Sequence, residues 1–377
     1  MELQHYFEPF KGQVAKLSGF APGEALGQQV AFFKGESDWF GLEGIKVVVL
    51  GLDQQADLLR YHLYALRGFE QTAWLGDAGN LKGRSLNDRY RALRDALSWF
   101  RKRGQVVLLL GGSQDYTPAI LKGMADAQMQ PRVNLAVADH RFDLEPGAPD
   151  LSPQGWLSYL LQEEAKLLGE LSILGWQRYL VSPWQEASLT QKYACLLRLG
   201  DLRCKGFYEV EVVLRGSDFL GVDMGVVKGQ PLFPGTIAPN GLEPHEACRM
   251  FWYAGMSPRL SVSALFALPE GQANEALLGA EVVWHFFDGY LGRLPDYPEE
   301  ESGRYKKYLV PLDALDEPLC FVRNLQNDRW WMQTGVQAED VYLPCSRSDF
   351  RLALRNMLPE RLWRFLMRRD EIRQAGL

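Results

Sequence analysis

The chain reads as an α/β protein whose largely parallel sheet is covered by helices on both faces. Three observations carry this expectation. Short continuous apolar runs recur, among them Val47–Leu50, Val106–Leu110 and Val133–Val137, and such runs mark strands buried on both faces. Between them lie longer segments with an apolar stripe at helical spacing, the alternation that builds parallel crossovers. Finally, three polar clusters each follow a strand-like run, and ligand sites of open parallel sheets form at the carboxyl ends of strands.

Taken in order, the first strand is expected over 46–51. The segment 54–66 follows with Leu58, Leu59, His62 and Leu66 on one helical face. A helix over 86–103 presents Tyr90, Leu93, Leu97 and Phe100. Strand 106–110, helix 118–129 and strand 133–137 continue the alternation. Helices are expected over 156–168 and 188–199, then a short strand ending near Asp223. The segments 243–254 and 273–291 read as helices flanking a strand-like 260–268. No internal repeat or low-complexity tract interrupts the pattern. Around 294–304 the composition changes, with Pro295, Pro298 and the acidic run Glu299-Glu300-Glu301, which suggests a boundary. The expected division is an N-terminal arm (1–40), an α/β domain (41–294) and a C-terminal extension (295–377).

Composition excludes several classes. Of 377 residues, 47% are hydrophobic and 23% charged, as in a packed globular chain rather than a disordered one. The 41 basic and 47 acidic residues give a net charge of −6 without a block of one sign, so nucleic acid is not an expected partner. The start, Met1-Glu2-Leu3-Gln4-His5, lacks the basic and apolar regions of a secretory signal, and no apolar run is long enough to span a bilayer. Five scattered cysteines without a C-x-x-C pair fit reduced thiols and a cytoplasmic location.

The polar clusters are Gly111-Gly112-Ser113-Gln114-Asp115, Asp139-His140-Arg141-Phe142-Asp143-Leu144 and Gly221-Val222-Asp223-Met224-Gly225. In order and spacing they resemble the motifs of the ureohydrolases (arginase, agmatinase and formimidoylglutamase), roughly G-G-D-H-S, D-A-H-x-D and S-x-D-x-D. That resemblance implies a three-layer αβα arginase-like fold and, in the family, two histidines and four aspartates around a manganese pair. In this chain Gln114 and Arg141 stand at the two histidine positions, and Gly225 at the second aspartate of the last motif. Asp139, Asp143 and Asp223 remain. Asp77-Ala78-Gly79-Asn80 and Pro239-Asn240-Gly241-Leu242-Glu243 also match family segments, although both are ordinary turn formers. Ala267 falls where the family's substrate-orienting glutamate belongs, and Glu270, beyond Pro269, is a poor substitute. The motif versions resemble a divergent branch found in Bacteroidetes, usually named arginase-family or formimidoylglutamase-like, over about residues 40 to 365.

Charge decides what such a site can do. A metal pair requires dense anionic and imidazole ligation. Glutamine offers a transition metal only a neutral oxygen, and arginine cannot deprotonate to become a ligand. The expectation is therefore a pseudoenzyme with a degenerate site and no cofactor, its remnant pocket formed by Gln114, Asp115, Asp139, His140, Arg141, Asp143 and Asp223. Arg141 is expected to neutralise the aspartates in place of metal, at a cost of about 3–5 kcal/mol on removal. His140 could instead supply a ligand by a one-residue shift, but alternation along a strand argues against it. Two other readings stand beside this one. One is a hydrolase of a linear amidine or guanidine C–N bond with a single metal on Asp139, Asp143 and Asp223; the other is an assembly protein acting through the extension. The partner could be a small molecule, a protein or further copies of the chain. His62 and His285 read as helix-stripe residues and His245 as first-turn helix. The tail 359–374, with five arginines, reads as a terminal helix docking its aromatic residues with its arginines in solvent. Trp330-Trp331 is expected to anchor the extension or form a protomer contact.

Overall fold

The computed structural model describes residues 3–12, 14, 21, 23–35, 44–127, 132–147, 150–233, 236–268, 273–295, 297–298, 303–336 and 339–374. The acidic run 299–301 lies outside them, as do Pro269 and Glu270.

Ten strands form the central sheet. They are β1 (Phe7–Glu8), β2 (Ala31–Phe32), β3 (Val47–Gly51), β4 (Leu75–Leu81), β5 (Val106–Leu110), β6 (Val133–Ala138), β7 (Leu168–Trp176), β8 (Cys195–Arg198), β9 (Phe219–Asp223) and, after the hairpin β10 (Pro231–Phe233) and β11 (Thr236–Ile237), β12 (Val262–Phe266). Their spatial order is β1-β4-β3-β5-β12-β9-β6-β7-β8, with β2 also on β4. Only β1 runs antiparallel. Successive residues of β3 and β5 serve opposite cores: Val47, Val49, Leu108 and Leu110 one side, Val48, Leu50, Val107 and Leu109 the other. That double burial explains why these strands read as unbroken apolar runs.

Helices close both faces. On one lie α1 (Gln55–Leu63), α6 (Leu199–Lys205), α7 (Tyr208–Gly216), α8 (Pro244–Met256) and α9 (Ala273–Leu291), contributing Leu59, Leu202, Val210, Phe251 and Phe286. On the other lie α2 (Leu86–Lys102), α3 (Thr117–Ala125), α4 (Trp156–Glu163) and α5 (Pro183–Gln191), contributing Leu93, Leu97, Ile120, Leu160 and Leu189. The result is a three-layer αβα architecture. Among the described residues, no helix is long and apolar enough to cross a membrane.

Two expected segments differ. The helix expected over 156–168 ends early, and β7 begins at Leu168; Gly169, Glu170, Ser172 and Gly175 interrupt its apolar pattern and hide the strand. The helix expected over 188–199 stops at Gln191, because Tyr193 adopts a left-handed φ of 56° and the chain turns into β8. β4 is a third surprise. Its Asp77-Ala78-Gly79-Asn80 core looks like a turn but is fully buried. Arg60 of α1 makes this tolerable: it donates from Nε to Asp77 Oδ2 at 2.8 Å, and from Nη2 to Asp77 Oδ1 at 3.0 Å and to the Gly79 carbonyl at 2.8 Å. Tyr64 donates its hydroxyl to the same carboxylate.

After α9 the chain forms an antiparallel sheet of β13 (Tyr305–Val310), β14 (Leu319–Asn324), β15 (Trp330–Val336) and β16 (Glu339–Cys345), then α10 (Arg347–Ala353) and α11 (Glu360–Gln374). Phe321, Trp330, Met332 and Leu362 pack within this unit. Arg215 of α7 joins it to the main body, donating to the carbonyls of Trp330 (3.0 Å) and Cys345 (3.1 Å) and lying 4.6 Å from the Trp331 ring. Both tryptophans are buried, as an anchoring role requires. The tail helix docks through its arginines as well as its apolar side, where Trp363 meets the Tyr193 ring edge-on at 5.5 Å. Arg361 pairs with Asp349 at 2.7 Å and with Glu209, while Arg368 donates to the carbonyls of Leu168 and Gly169. Trp363 is 43% exposed. Arginine docks here because it can satisfy strand-end carbonyls and carboxylates that an aromatic ring cannot.

Breaking the Arg60–Asp77 pair strands a buried charge. Arg60→Met should cost about 3–5 kcal/mol in urea unfolding. Asp57→Asn, which removes the partly exposed partner of Arg60, should cost under about 1 kcal/mol.

Candidate functional site

Each polar cluster begins where a strand ends. After β5, Gly111 and Gly112 take φ values of 83° and 67°, a conformation open mainly to glycine. A Cβ on Gly111 would sit 2.4 Å from Asp53 Oδ1. The turn delivers Gln114 to the sheet's carboxyl edge. After β6, Asp139 is held by its N–H to the Leu174 carbonyl at 3.1 Å and His140 by its carbonyl, which accepts from the Gln177 N–H at 2.9 Å. After β9, Asp223 Oδ1 accepts from the Gly225 N–H at 2.7 Å.

The three strand ends bring Gln114, Asp139, His140 and Asp223 together. Gln114 donates its amide to Asp139 Oδ2. His140 Nδ1 lies 2.9 Å from Asp139 Oδ1. Gln114, Asp139 and His140 are only 2%, 3% and 4% exposed. The pocket anticipated at this edge is thus filled by its own side chains.

His140 corrects one expectation. Alternation along β6 would have turned it away from Asp139, but the strand ends at Ala138 and the chain bends through His140 and Arg141. The imidazole enters the cluster while both flanking aspartates stay. It fills space that Gly225 leaves, since a Cβ there would lie 3.2 Å from His140 Nδ1. Arg141 takes a smaller part than expected: its Nε is 3.2 Å from Asp143 Oδ1, with the side chain 31% exposed. Asp143 also accepts from Trp156 Nε1 at 3.1 Å. Asp115 is buried, but its carboxylate accepts from Tyr90 (2.6 Å) and Ser113 instead of joining the three aspartates. Ala267 follows β12 with φ 54° and donates its N–H to the Gly112 carbonyl at 2.9 Å. The contribution of Trp156 had no motif to announce it.

Electrostatics follow from this crowding. Burial, then Asp139, push Asp143 up to about 9; Arg141 opposes the shift and Asp223 adds to it. Burial and Asp139 likewise raise Asp223 to about 6, against the Gly225 N–H, His140 and Gln114. Close carboxylates out of water favour proton uptake by some of the set.

No protein-family profile and no curated protein matches the chain. Solved structures do. A Trypanosoma cruzi formiminoglutamase with manganese superposes with a TM-score of 0.60 at 20% identity, covering 67% of this chain and 95% of that one. Formimidoylglutamase from Bacillus subtilis gives 0.60 at 17% identity, covering 73% and 96%. The agmatine ureohydrolase of Thermoplasma volcanium gives 0.55 at 18%, covering 73% and 97%. The fold is therefore arginase-like, with an antiparallel extension added at the C-terminus.

Two outcomes follow for metal-free protein. Asp143 has a folded pKa above its unfolded value of about 3.9. Its contribution is complete below that value and is lost as pH rises towards about 9. Between pH 5 and 8.5 the wild type should thus lose more stability than Asp143→Asn, by at least about 1.4 kcal/mol, the worth of one pKa unit; parallel urea-unfolding profiles would refute this. Arg141→Met should cost about 1–2 kcal/mol by the same method, below the figure for a fully buried pair, because solvent screens the guanidinium.

Proposed function

We propose that this chain is a non-catalytic member of the ureohydrolase group: a binding or scaffold protein built on that fold, without a dimanganese centre. The observation that carries the reading is the Gln114–Asp139–His140 contact, in which protein groups use the carboxylate that would bind metal. The donor set fits a manganese pair poorly. Gln114 donates an N–H into Asp139, so its amide nitrogen, not its oxygen, faces the carboxylate. Arg141 approaches Asp143 with a fixed positive charge. Gly225 has no side chain to offer. Among the described residues, no group of three histidine, cysteine or acidic side chains is arranged to hold a metal ion. A cluster compensated by a guanidinium and bound protons has little electrostatic need for two divalent cations.

Restoring the family pattern tests this directly. Purified wild-type protein should carry well under one manganese per chain, show almost no rise in Tm on adding manganese, and fail to turn over arginine, agmatine or formimidoylglutamate. The combined variant Gln114→His, His140→Ala, Arg141→His and Gly225→Asp should gain a manganese-dependent rise in Tm, since a ligand of the native state stabilises it by mass action. His140→Ala is included because a side chain at position 225 would meet the imidazole. Stoichiometric manganese with turnover in the wild type would overturn the proposal.

A further inference from the structure

The sheet's carboxyl edge has a second feature, one step along from the filled cluster. A cleft of about 1,120 Å³ opens above the ends of β3 and β4 and the first turns of α2. Its place follows from the topology. The chain runs from β3 outward to β4, then returns to β5 on the other side of β3. Such a reversal splays the following loops apart and leaves a crevice where open α/β sheets bind ligands.

Lys82, Arg84 and Arg91 line this cleft, and all three are exposed. None pairs with a carboxylate among the described residues. The acidic groups of the same wall are already engaged. Asp53 accepts from the N–H groups of Gln55 (3.0 Å) and Gly112 (2.8 Å). Asp88 accepts from the Ser85 N–H at 3.2 Å as part of the α2 capping box. Glu8 lies 3.8 Å from Lys11. With Arg89, four cations line the cleft against three carboxylates, and those carboxylates accept from amides or lie near another lysine. The lining is thus net positive by one in a chain of net charge −6.

We propose that this cleft binds a small multivalent anion, of the class of diphosphates and phosphorylated metabolites. Two guanidinium groups can each engage phosphate oxygens in pairs, and the lysine adds a point charge. The volume suits a metabolite-sized ligand. None of the three cations belongs to the Gln114–Asp139 cluster, so the proposal stands or falls independently of metal loss.

The test is calorimetric titration of the full chain with pyrophosphate, ATP and orthophosphate at low and high salt, beside the variant Lys82→Ala, Arg84→Ala, Arg91→Ala. Pyrophosphate and ATP should bind at least tenfold more tightly than orthophosphate, and weaken with salt as screened charges do. The triple variant should lose at least tenfold in affinity at unchanged Tm, because the three side chains are exposed. Equal binding by the variant would overturn the proposal, as would no heat from any of the anions. A single-stranded oligonucleotide binding more tightly than pyrophosphate and ATP through these residues would replace it with an extended polyanion site.

Discussion

Everything at the functional edge answers to one electrostatic constraint. The neighbouring parallel strands β6 and β9 deliver Asp139, Asp143 and Asp223 to a place with little water. Desolvated like charges cannot all persist without compensation. Here the compensation comes from within the chain. His140 lies against Asp139, Gln114 donates to Asp139, Arg141 approaches Asp143, and raised carboxyl pKa values leave protons to complete the balance. The same requirement recurs at Asp77, between α1 and β4, where Arg60 supplies the counter-charge and Tyr64 a further hydrogen bond.

Much of this was legible in the residues. Strands buried on both faces announce themselves as apolar runs, and β3, β5 and β6 appear where those runs lie. The convergence of Gln114, Asp139 and Asp223 follows, because all three lie at or just beyond the carboxyl end of a parallel strand. Illegible parts have specific causes. β4 and β7 carry polar and glycine residues in their interiors and resemble turns or helix ends. The direction of His140 depends on where β6 stops, and strand alternation carries no information beyond Ala138. Asp115 looked like a pocket residue by position, but the Tyr90 hydroxyl of α2, remote in sequence, claims its carboxylate.

The extension departs from expectation in the chemistry of its attachment. An aromatic tail suggested apolar docking, yet the bonds to the body come from arginines. Arg215 reaches the carbonyls of Trp330 and Cys345, Arg361 reaches Glu209, and Arg368 reaches the first carbonyls of β7. Guanidinium groups suit this boundary because its backbone carbonyls and carboxylates need directional donors. The Arg368 contact lies at the amino end of β7, opposite the carboxyl edge that holds the aspartate cluster.

Gly225 ties together two positions that lie far apart in the sequence. A Cβ there would sit 2.9 Å from Asp223 Oδ1 and 3.2 Å from His140 Nδ1. An aspartate placed at 225 alone would add a fourth carboxylate and press on the ring, whereas removing the ring alone would take away the group that lies against Asp139. Positions 140 and 225 therefore form one unit, in which neither side chain is chosen independently of the other.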